Sequence, residues 1–256
     1  MSKILELVNA GRVFEIDHKI LGDEFITKEE MIAIFNCFDA FWQYEGEPSS
    51  EKPHALLKSG KHSNGFIACK NVLDHPLMCK LFANEIVKLF EIYQKTYSKQ
   101  KIDAVAGSAY SAFNLGYEVA RRIAKWHPNV KFIQVEKDKL DKPTIIRGGI
   151  DSSKTVLIIN ELMTTSTGST WETKEAVLNC NGENNPPPEI FNFSYILVHR
   201  SKDWELPDGS EVIPVFHFDM TDWDVPNGEE CPLCKAGSEA IKPKVGDNWN
   251  IIHGRA

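Results

Sequence analysis

Two polar residues, Asn160 and Glu161, stand between an apolar run and a segment rich in hydroxyl groups. The apolar run covers residues 156–159, and the segment consists of Thr164, Thr165, Ser166, Thr167, Gly168 and Ser169. This order predicts a buried strand, a sharp turn and the start of a helix. At such a turn the backbone N–H groups and the helix dipole favour an anion, so the pattern indicates a phosphate site.

A second strand end carries a similar loop. Residues 102–106 are predicted to form a short strand, and Gly107, Ser108, Ala109, Tyr110, Ser111 and Ala112 follow it. If the two strands are neighbours, both loops face one crevice at the carboxyl edge of the sheet. Two anion sites in one crevice suit a ligand with phosphates at both ends, with Asn160 and Glu161 near its sugar hydroxyls.

Neither loop matches a Walker motif or a G-x-G-x-x-G motif. The plainer interpretation of residues 164–169 is a capped turn between a strand and a helix. Five hydroxyl side chains in six positions exceed what capping requires, which favours the phosphate site.

Strands alternate with helical segments along the chain, which predicts an α/β fold with a mostly parallel central sheet flanked by helices. Helices are expected over 75–93 and 113–126, and strands over 130–135, 191–198 and 212–218. We divide the chain into an N-terminal helical extension (1–50), a core with a small hood (51–220) and a C-terminal tail packed on the core (221–256). The hood strand is expected within 54–73, and a capping box at Thr27 opens a helix in the extension.

Composition excludes several classes of protein. The 256 residues carry a formal net charge of −7, which argues against a partner with a negatively charged surface, either nucleic acid or a membrane. No apolar run approaches the roughly 20 residues that span a bilayer, and no signal-peptide core is seen, so a cytoplasmic protein is expected.

The six cysteines are expected to be free thiols, as in most cytoplasmic proteins. Cys231 and Cys234 have the C-x₂-C spacing of metal ligands, but no second pair lies at zinc-ribbon distance. His217 and His253 could complete such a site. Because a single C-x₂-C pair is a weak signal, no metal ligands are assigned.

The sequence resembles a known family in five segments that occur in the expected order. VLIINELMTTSTGS resembles the phosphoribosyl pyrophosphate (PRPP) signature of type I phosphoribosyltransferases. VAGSAYSAFNLGYEVARRIA and LLKSGKHSNGFIACKNVLDHP are similar to segments of orotate phosphoribosyltransferases, and so are Leu197–Arg200 and the tail CPLCKAGSEAIKPK. The resemblance covers about residues 54–243 and implies the type I phosphoribosyltransferase fold.

This resemblance implies Mg²⁺-assisted transfer of ribose 5-phosphate from PRPP to a pyrimidine base such as orotate. Asn160 and Glu161 would hold the ribose hydroxyls, and Lys137, in a mobile loop over 136–142, would close the site from a second subunit of a homodimer. The implied binding residues are Thr164, Thr165, Ser166, Thr167 and Gly168 for the 5′-phosphate, Ala109, Tyr110, Ser111 and Lys58 for pyrophosphate, Phe66 for stacking on the base, and Arg200 for its carboxylate.

Each of three binding residues has a plainer alternative: Lys58 as an exposed strand-end lysine, Phe66 as a core aromatic residue, and Arg200 as a surface arginine.

The chain also departs from the family pattern, because Asn160 replaces an acid, and Ser108, Ser111 and Ser166 replace a proline, a lysine and a glycine. Two hypotheses therefore stand: an active enzyme, or a catalytically weak relative that binds a nucleotide or phosphosugar as a regulator. A third, nucleic-acid binding through a zinc knuckle at Cys231, is disfavoured by the acidic charge.

Overall fold

The computed structural model describes residues 2–96, 100–109, 112–145, 148–164 and 168–255. Its α-helices are α1 (Lys3–Asn9), α2 (Lys28–Asn36), α3 (Cys69–Leu73), α4 (Pro76–Thr96), α5 (Phe113–Ile123), α6 (Gly168–Leu178), α7 (Pro232–Lys235) and α8 (Asn248–Ile252). Its strands are β1 (Phe41–Gln43), β2 (His54–Leu56), β3 (His62–Ser63), β4 (Gly65–Ile67), β5 (Ala104–Gly107), β6 (Lys131–Gln134), β7 (Glu136–Lys137), β8 (Pro143–Thr144), β9 (Thr155–Met163), β10 (Glu189–His199), β11 (Glu211–His217), β12 (Asp222–Trp223) and β13 (Ala240–Ile241).

The main sheet has five strands in the order β11-β10-β9-β5-β6, and every neighbouring pair in it is parallel. The predicted α/β fold is therefore confirmed. From β5 the chain moves outward to β6, whereas from β9 it moves outward in the other direction to β10 and β11. The strand order therefore reverses between β5 and β9, and in open α/β sheets ligands bind at the carboxyl ends of strands at such a point.

Strand β9 is buried on both faces, as the run of apolar residues predicts. Leu157 and Ile159 pack into the main core with helices α4 and α5. Val156 and Ile158 pack on the opposite face, in a second cluster that includes Val177 of α6. Successive residues of β9 thus pack against helices on opposite faces of the sheet. This alternation fixes the directions of the Asn160 and Glu161 side chains that follow.

The N-terminal residues share the main core with α4. The capping box that opens α2 is present, with Thr27 and Glu30 bonding each other's backbone N–H groups. Glu85 of α4, which is fully buried, accepts a hydrogen bond from the Ile26 backbone N–H and pairs with Lys88. These contacts fix the segment that precedes α2, while the division of the chain into extension, core and tail stays a prediction.

A second sheet lies over the carboxyl edge, and we call it the hood sheet. Its order is β12-β3-β2-β13, so that the hairpin β2–β3 has a strand of the C-terminal tail on each side. Strand β4 pairs separately with β1 of the N-terminal region. The segment 69–73, for which the sequence indicated loop and strand, is instead helix α3.

Two further boundaries differ from the sequence-based expectation. Helix α5 ends at Ile123, three residues short of the predicted end, and residues 124–126 form a turn. Strand β9 continues through Asn160 and Glu161 to Met163, where the sequence indicated that the strand ends before them. Within the described residues, no helix is both long and apolar enough to span a membrane.

Candidate active site

The two loops that the sequence indicated lie at one edge of the sheet, because β5 and β9 are hydrogen-bonded neighbours. Gly107, the last residue of β5, pairs with Ile159, so β9 extends four residues beyond it. Thr164, directly after β9, and Gly168, the first residue of α6, are both partly buried. Thr165, Ser166, Thr167, Tyr110 and Ser111 lie outside the described residues.

The turn after β5 is tight. A Cβ atom on Gly107 would lie 2.9 Å from the Ala112 carbonyl oxygen, so this close approach requires glycine. Ser108 is 2% exposed, and its hydroxyl finds no hydrogen-bond partner within the described residues. Ala109 follows, partly buried. A buried hydroxyl at this turn is a polar group that a ligand oxygen could satisfy.

The Asn160 amide is engaged by the chain itself. This fully buried side chain donates from Nδ2 to the hydroxyls of Ser169 and Thr170 in the first turn of α6, at 2.9 Å each. Its Oδ1 accepts from the Glu161 backbone N–H at 2.9 Å. Asn160 therefore joins the end of β9 to the start of α6, on the same face as Val156 and Ile158.

Glu161 belongs to the other face of the sheet, in line with Leu157 and Ile159. Its carbonyl oxygen accepts a hydrogen bond from the Cys69 thiol, and its carboxylate is among the causes that raise the pKa of Cys69, after burial of that thiol. The sequence-based hypothesis has both polar residues facing the ribose. The structure does not bring them together, because adjacent strand residues point to opposite faces.

Two predicted cations, Lys58 and Lys137, lie on different elements of the structure. Lys58 is exposed in the turn between β2 and β3. Lys137 of β7 pairs with Asp141 at 2.8 Å, and β7 pairs with β8 as a two-stranded ribbon. The pKa of Asp141 is lowered by its hydrogen bond with Lys137 and, more weakly, by the charge of Lys58. The hood turn and the ribbon therefore approach each other within one subunit.

Phe66 is half-buried and packs against the C-terminal tail. Its ring meets Trp249 edge-on, with centroids 6.1 Å apart. The ammonium group of Lys244 lies over the same ring, 5.6 Å from its centroid, and its charge also acts on the Cys69 thiol. Lys244 itself is exposed. Sequence reasoning missed this lysine, because its tail position carries no local signal that places it beside Phe66.

Arg200 follows β10 but is not a surface residue, being 3% exposed. Its guanidinium forms an ion pair with Asp222 and donates to the Ser63 hydroxyl and the Gly65 carbonyl oxygen, at 2.8 Å each. Burial lowers the pKa of this guanidinium, and Asp222 opposes that effect. In this structure Arg200 therefore binds the hood, and its pairing with a base carboxylate stays a prediction that requires the Asp222 pair to open.

The histidines expected to complete a site with Cys231 and Cys234 lie elsewhere. His217 contacts His199 and Asp219, and His253 contacts the carbonyl oxygens of Trp249 and Phe41. That expectation is wrong because the tail strands β12 and β13 flank the hairpin β2–β3, and the histidines of this hairpin face the cysteines instead. All six cysteines are free, as predicted.

Comparison with known proteins supports one family. Orotate phosphoribosyltransferase of Caldanaerobacter subterraneus subsp. tengcongensis is 30% identical over 220 residues, which cover 85% of this chain and 97% of that protein. The enzyme of the same name from a Nitratiruptor species is 32% identical over 201 residues, covering 75% of this chain and 91% of that protein. No protein-family model matches the chain.

Solved structures of the same name give weaker likenesses. Orotate phosphoribosyltransferase of Mycobacterium tuberculosis aligns with a TM-score of 0.48 at 14% identity, covering 70% of this chain and 89% of that one. The assignment therefore rests on the sequence relatives and on the parallel sheet. The chain is a member of the orotate phosphoribosyltransferase family, a family of pentosyltransferase enzymes.

Proposed function

We propose that this protein transfers ribose 5-phosphate from PRPP to orotate and releases pyrophosphate. The observation that carries the proposal is the pairing of β5 with β9 at the point where the strand order reverses. Each of these strands leads into a segment whose sequence suits an anion site. The relatives that carry the name orotate phosphoribosyltransferase support the choice of reaction and of base.

PRPP would lie across the crevice with one phosphate end in each turn. The 5′-phosphate would occupy the turn from Thr164 to Gly168, at the N-terminus of the 11-residue helix α6. Pyrophosphate would occupy the turn after Gly107, where the Ser108 hydroxyl has no partner within the described residues. Lys58 and Lys137 would offset its charge.

The residues present fit a magnesium ion that is held mainly by the substrate. Glu161 offers one carboxylate near the sheet edge, and Mg²⁺ commonly binds through one or two carboxylates together with substrate phosphates. When bound, the ion neutralises charge on the pyrophosphate leaving group.

Transfer breaks the bond between ribose carbon 1 and a pyrophosphate oxygen, and forms a bond between that carbon and a base nitrogen. Positive charge develops on the ribose, so a nearby carboxylate stabilises the transition state. Glu161 is the one acid of the polar pair at the end of β9, and Asn160 contributes no charge. We propose that Glu161 is the catalytic carboxylate, whereas Asn160 positions the start of α6.

The base would stack on Phe66, where the tail places a second cation. Lys244 is exposed and lies over that ring, whereas the Arg200 guanidinium is engaged by Asp222. An ammonium group at this place suits the carboxylate of orotate. We therefore propose Lys244 as the orotate-pairing cation, with Arg200 positioning the hood.

Purified protein mixed with PRPP, Mg²⁺ and orotate should consume orotate, measured by the loss of its ultraviolet absorbance, and release pyrophosphate in equal amount. Mixtures that lack PRPP, or that contain a chelator of Mg²⁺, serve as controls. PRPP binding without turnover of orotate, uracil or a purine base would reject the enzyme. That outcome would support the regulatory alternative, which the complete engagement of the Asn160 amide favours.

Lys244→Ala should raise the KM for orotate about tenfold or more, since one charge-assisted hydrogen bond is lost, and leave the KM for PRPP within about twofold. Lys242→Ala, an exposed lysine of the same tail, is the matched control.

Arg200→Ala should instead lower the free energy of unfolding by about 3–5 kcal/mol, because Asp222 is left buried without its partner. A selective rise in orotate KM for Arg200→Ala, with none for Lys244→Ala, would reverse these assignments.

Asn160→Asp should leave kcat within about twofold, because the side chain at this position lies on the face of β9 opposite Glu161 and bonds α6, away from the developing positive charge. It should also lower the free energy of unfolding by about 1–3 kcal/mol, since the amide donor to Ser169 and Thr170 is lost in a buried place. Steady-state kinetics and denaturant unfolding measure the two effects. Asn36→Asp adds the same charge at an exposed position and should change neither. A tenfold rise in kcat in the Asn160→Asp variant would contradict the separation of Asn160 from the ribose.

We propose further that the protein is a homodimer, in which the ribbon that carries Lys137 closes on the partner's crevice. A dimer should have a mass in solution of about 58 kDa, twice the 29.0 kDa of one chain, by light scattering. A mass of one chain at the concentration of the assay would exclude closure from a second subunit.

A further inference from the structure

Four potential metal ligands converge at one end of the hood sheet. They are His54 of β2, His62 of β3, and Cys231 and Cys234 at the start of α7, and one ligand atom from each lies within 4.8 Å of all the others. Cys231 and His54 are 177 positions apart in the sequence. Among the described residues this is the one such group of histidines, cysteines and acids.

The distances between these atoms match the edges of a tetrahedral coordination sphere. His54 Nε2 lies 3.6 Å from the sulfur of each cysteine and 2.9 Å from His62 Nδ1, and Cys234 Sγ lies 3.2 Å from His62 Nδ1. Zinc bonds of about 2.3 Å to sulfur and about 2.0–2.1 Å to nitrogen place N and S about 3.5 Å apart, and two nitrogens about 3.4 Å apart. Small adjustments of the side chains would therefore admit the ion.

Hydrogen bonds behind His54 orient its ring for coordination. The Ser238 hydroxyl donates to the Lys52 carbonyl oxygen, so it accepts from His54 Nδ1, which lies 2.8 Å away. The proton of the neutral ring is then on Nδ1, and Nε2 presents its lone pair to the other three ligands. Metal-binding histidines typically have such a partner on their second nitrogen, which fixes the ring and the tautomer.

The backbone also holds the two cysteines in place. Lys235 N–H donates to the Cys231 carbonyl oxygen at 3.1 Å, and Gly237 N–H donates to the Cys234 carbonyl oxygen at 2.9 Å. Gly237 has a φ of +85°, in the left-handed region that glycine favours. The C-x₂-C segment is thus a compact turn with both sulfurs near the hood hairpin.

We propose that His54, His62, Cys231 and Cys234 bind one structural zinc ion. Two thiolates and two neutral imidazoles give the complex with Zn²⁺ no net charge, which suits the burial of His54 and Cys231. Because the protein supplies all four ligands, no position is left for substrate or water, and the site is structural.

The ion would join the two parts of the chain that form the hood. His54 and His62 flank the turn that carries Lys58, and Ser63, next to His62, accepts a hydrogen bond from Arg200. The cysteines lie in the tail between β12 and β13, the strands on either side of the hairpin. Zinc binding would therefore fix the hairpin against the tail, in addition to the Arg200–Asp222 pair.

Protein purified without a histidine tag should contain one zinc ion per chain by inductively coupled plasma mass spectrometry. Cys231→Ser and Cys234→Ser should each retain less than about one tenth of that zinc after dialysis, because structural sites need all their thiolates. Cys37→Ser, at an exposed cysteine outside the cluster, should retain all of it. Ser238→Ala keeps four ligands and should weaken zinc binding about 10- to 100-fold.

Two measurements on the wild-type protein test the zinc proposal even if the variants fail to fold. A chelator of zinc should lower the midpoint of thermal unfolding by about 10 °C, and added Zn²⁺ should restore it. Replacement of zinc by Co²⁺ should give the intense visible absorption of a tetrahedral thiolate site. Wild-type protein that binds no zinc after reduction and reconstitution, and whose unfolding is unchanged by the chelator, would overturn the proposal. Cys231→Ser and Cys234→Ser proteins that keep wild-type zinc content would do the same.

Discussion

The placement of β9 between β5 and β10 is the constraint on which the site depends. Both faces of this strand are covered by helices, so its register is fixed by apolar residues that have no alternative place. A shift of one residue would move each apolar side chain into the core on the opposite face, where the packing is shaped for a different residue, and would also exchange the faces to which Asn160 and Glu161 point. The chemistry at the sheet edge is therefore set by packing that begins four residues earlier, at Val156.

The hood is attached to this edge by a buried ion pair. Arg200 leaves the main sheet directly after β10, and it bonds Asp222 of β12, the Ser63 hydroxyl of β3 and the backbone of β4 at Gly65. The side chains of Arg200 and Asp222 are 2% and 1% exposed. A charge buried to this extent is stable only with its partner, so the angle between hood and sheet has little freedom. At Gly65, a Cβ atom would collide with the Met220 sulfur, which shows how closely the segment before β12 packs there.

Features that depend on neighbouring residues could be predicted from the sequence. The capping box at Thr27 and the apolar run of β9 each involve residues a few positions apart. The parallel sheet follows from the alternation of strands with helices along the chain. The separation of Asn160 from Glu161 was missed because the end of β9 was placed before them. Strand boundaries are decided by hydrogen bonding to β10, which a single segment does not reveal.

Features that depend on distant residues could not be predicted in this way. Nothing near Lys244 indicates that it lies over Phe66, and nothing near Arg200 indicates Asp222 as its partner. The C-x₂-C pair was recognised, but the histidines beside it are more than 170 positions away. The sequence pointed to His217 and His253, which are nearer in the chain. The pairing of β13 with β2 instead brings His54 beside the cysteines.

The order of the hood strands has a consequence for how the protein is made. The hairpin β2–β3 precedes every strand of the main sheet in the chain, but its neighbours β12 and β13 follow all of them. A two-stranded hairpin is at best marginally stable in water without further strands. During synthesis the main sheet can therefore form first, and the hood sheet is completed only when the segment from β12 to β13 has left the ribosome.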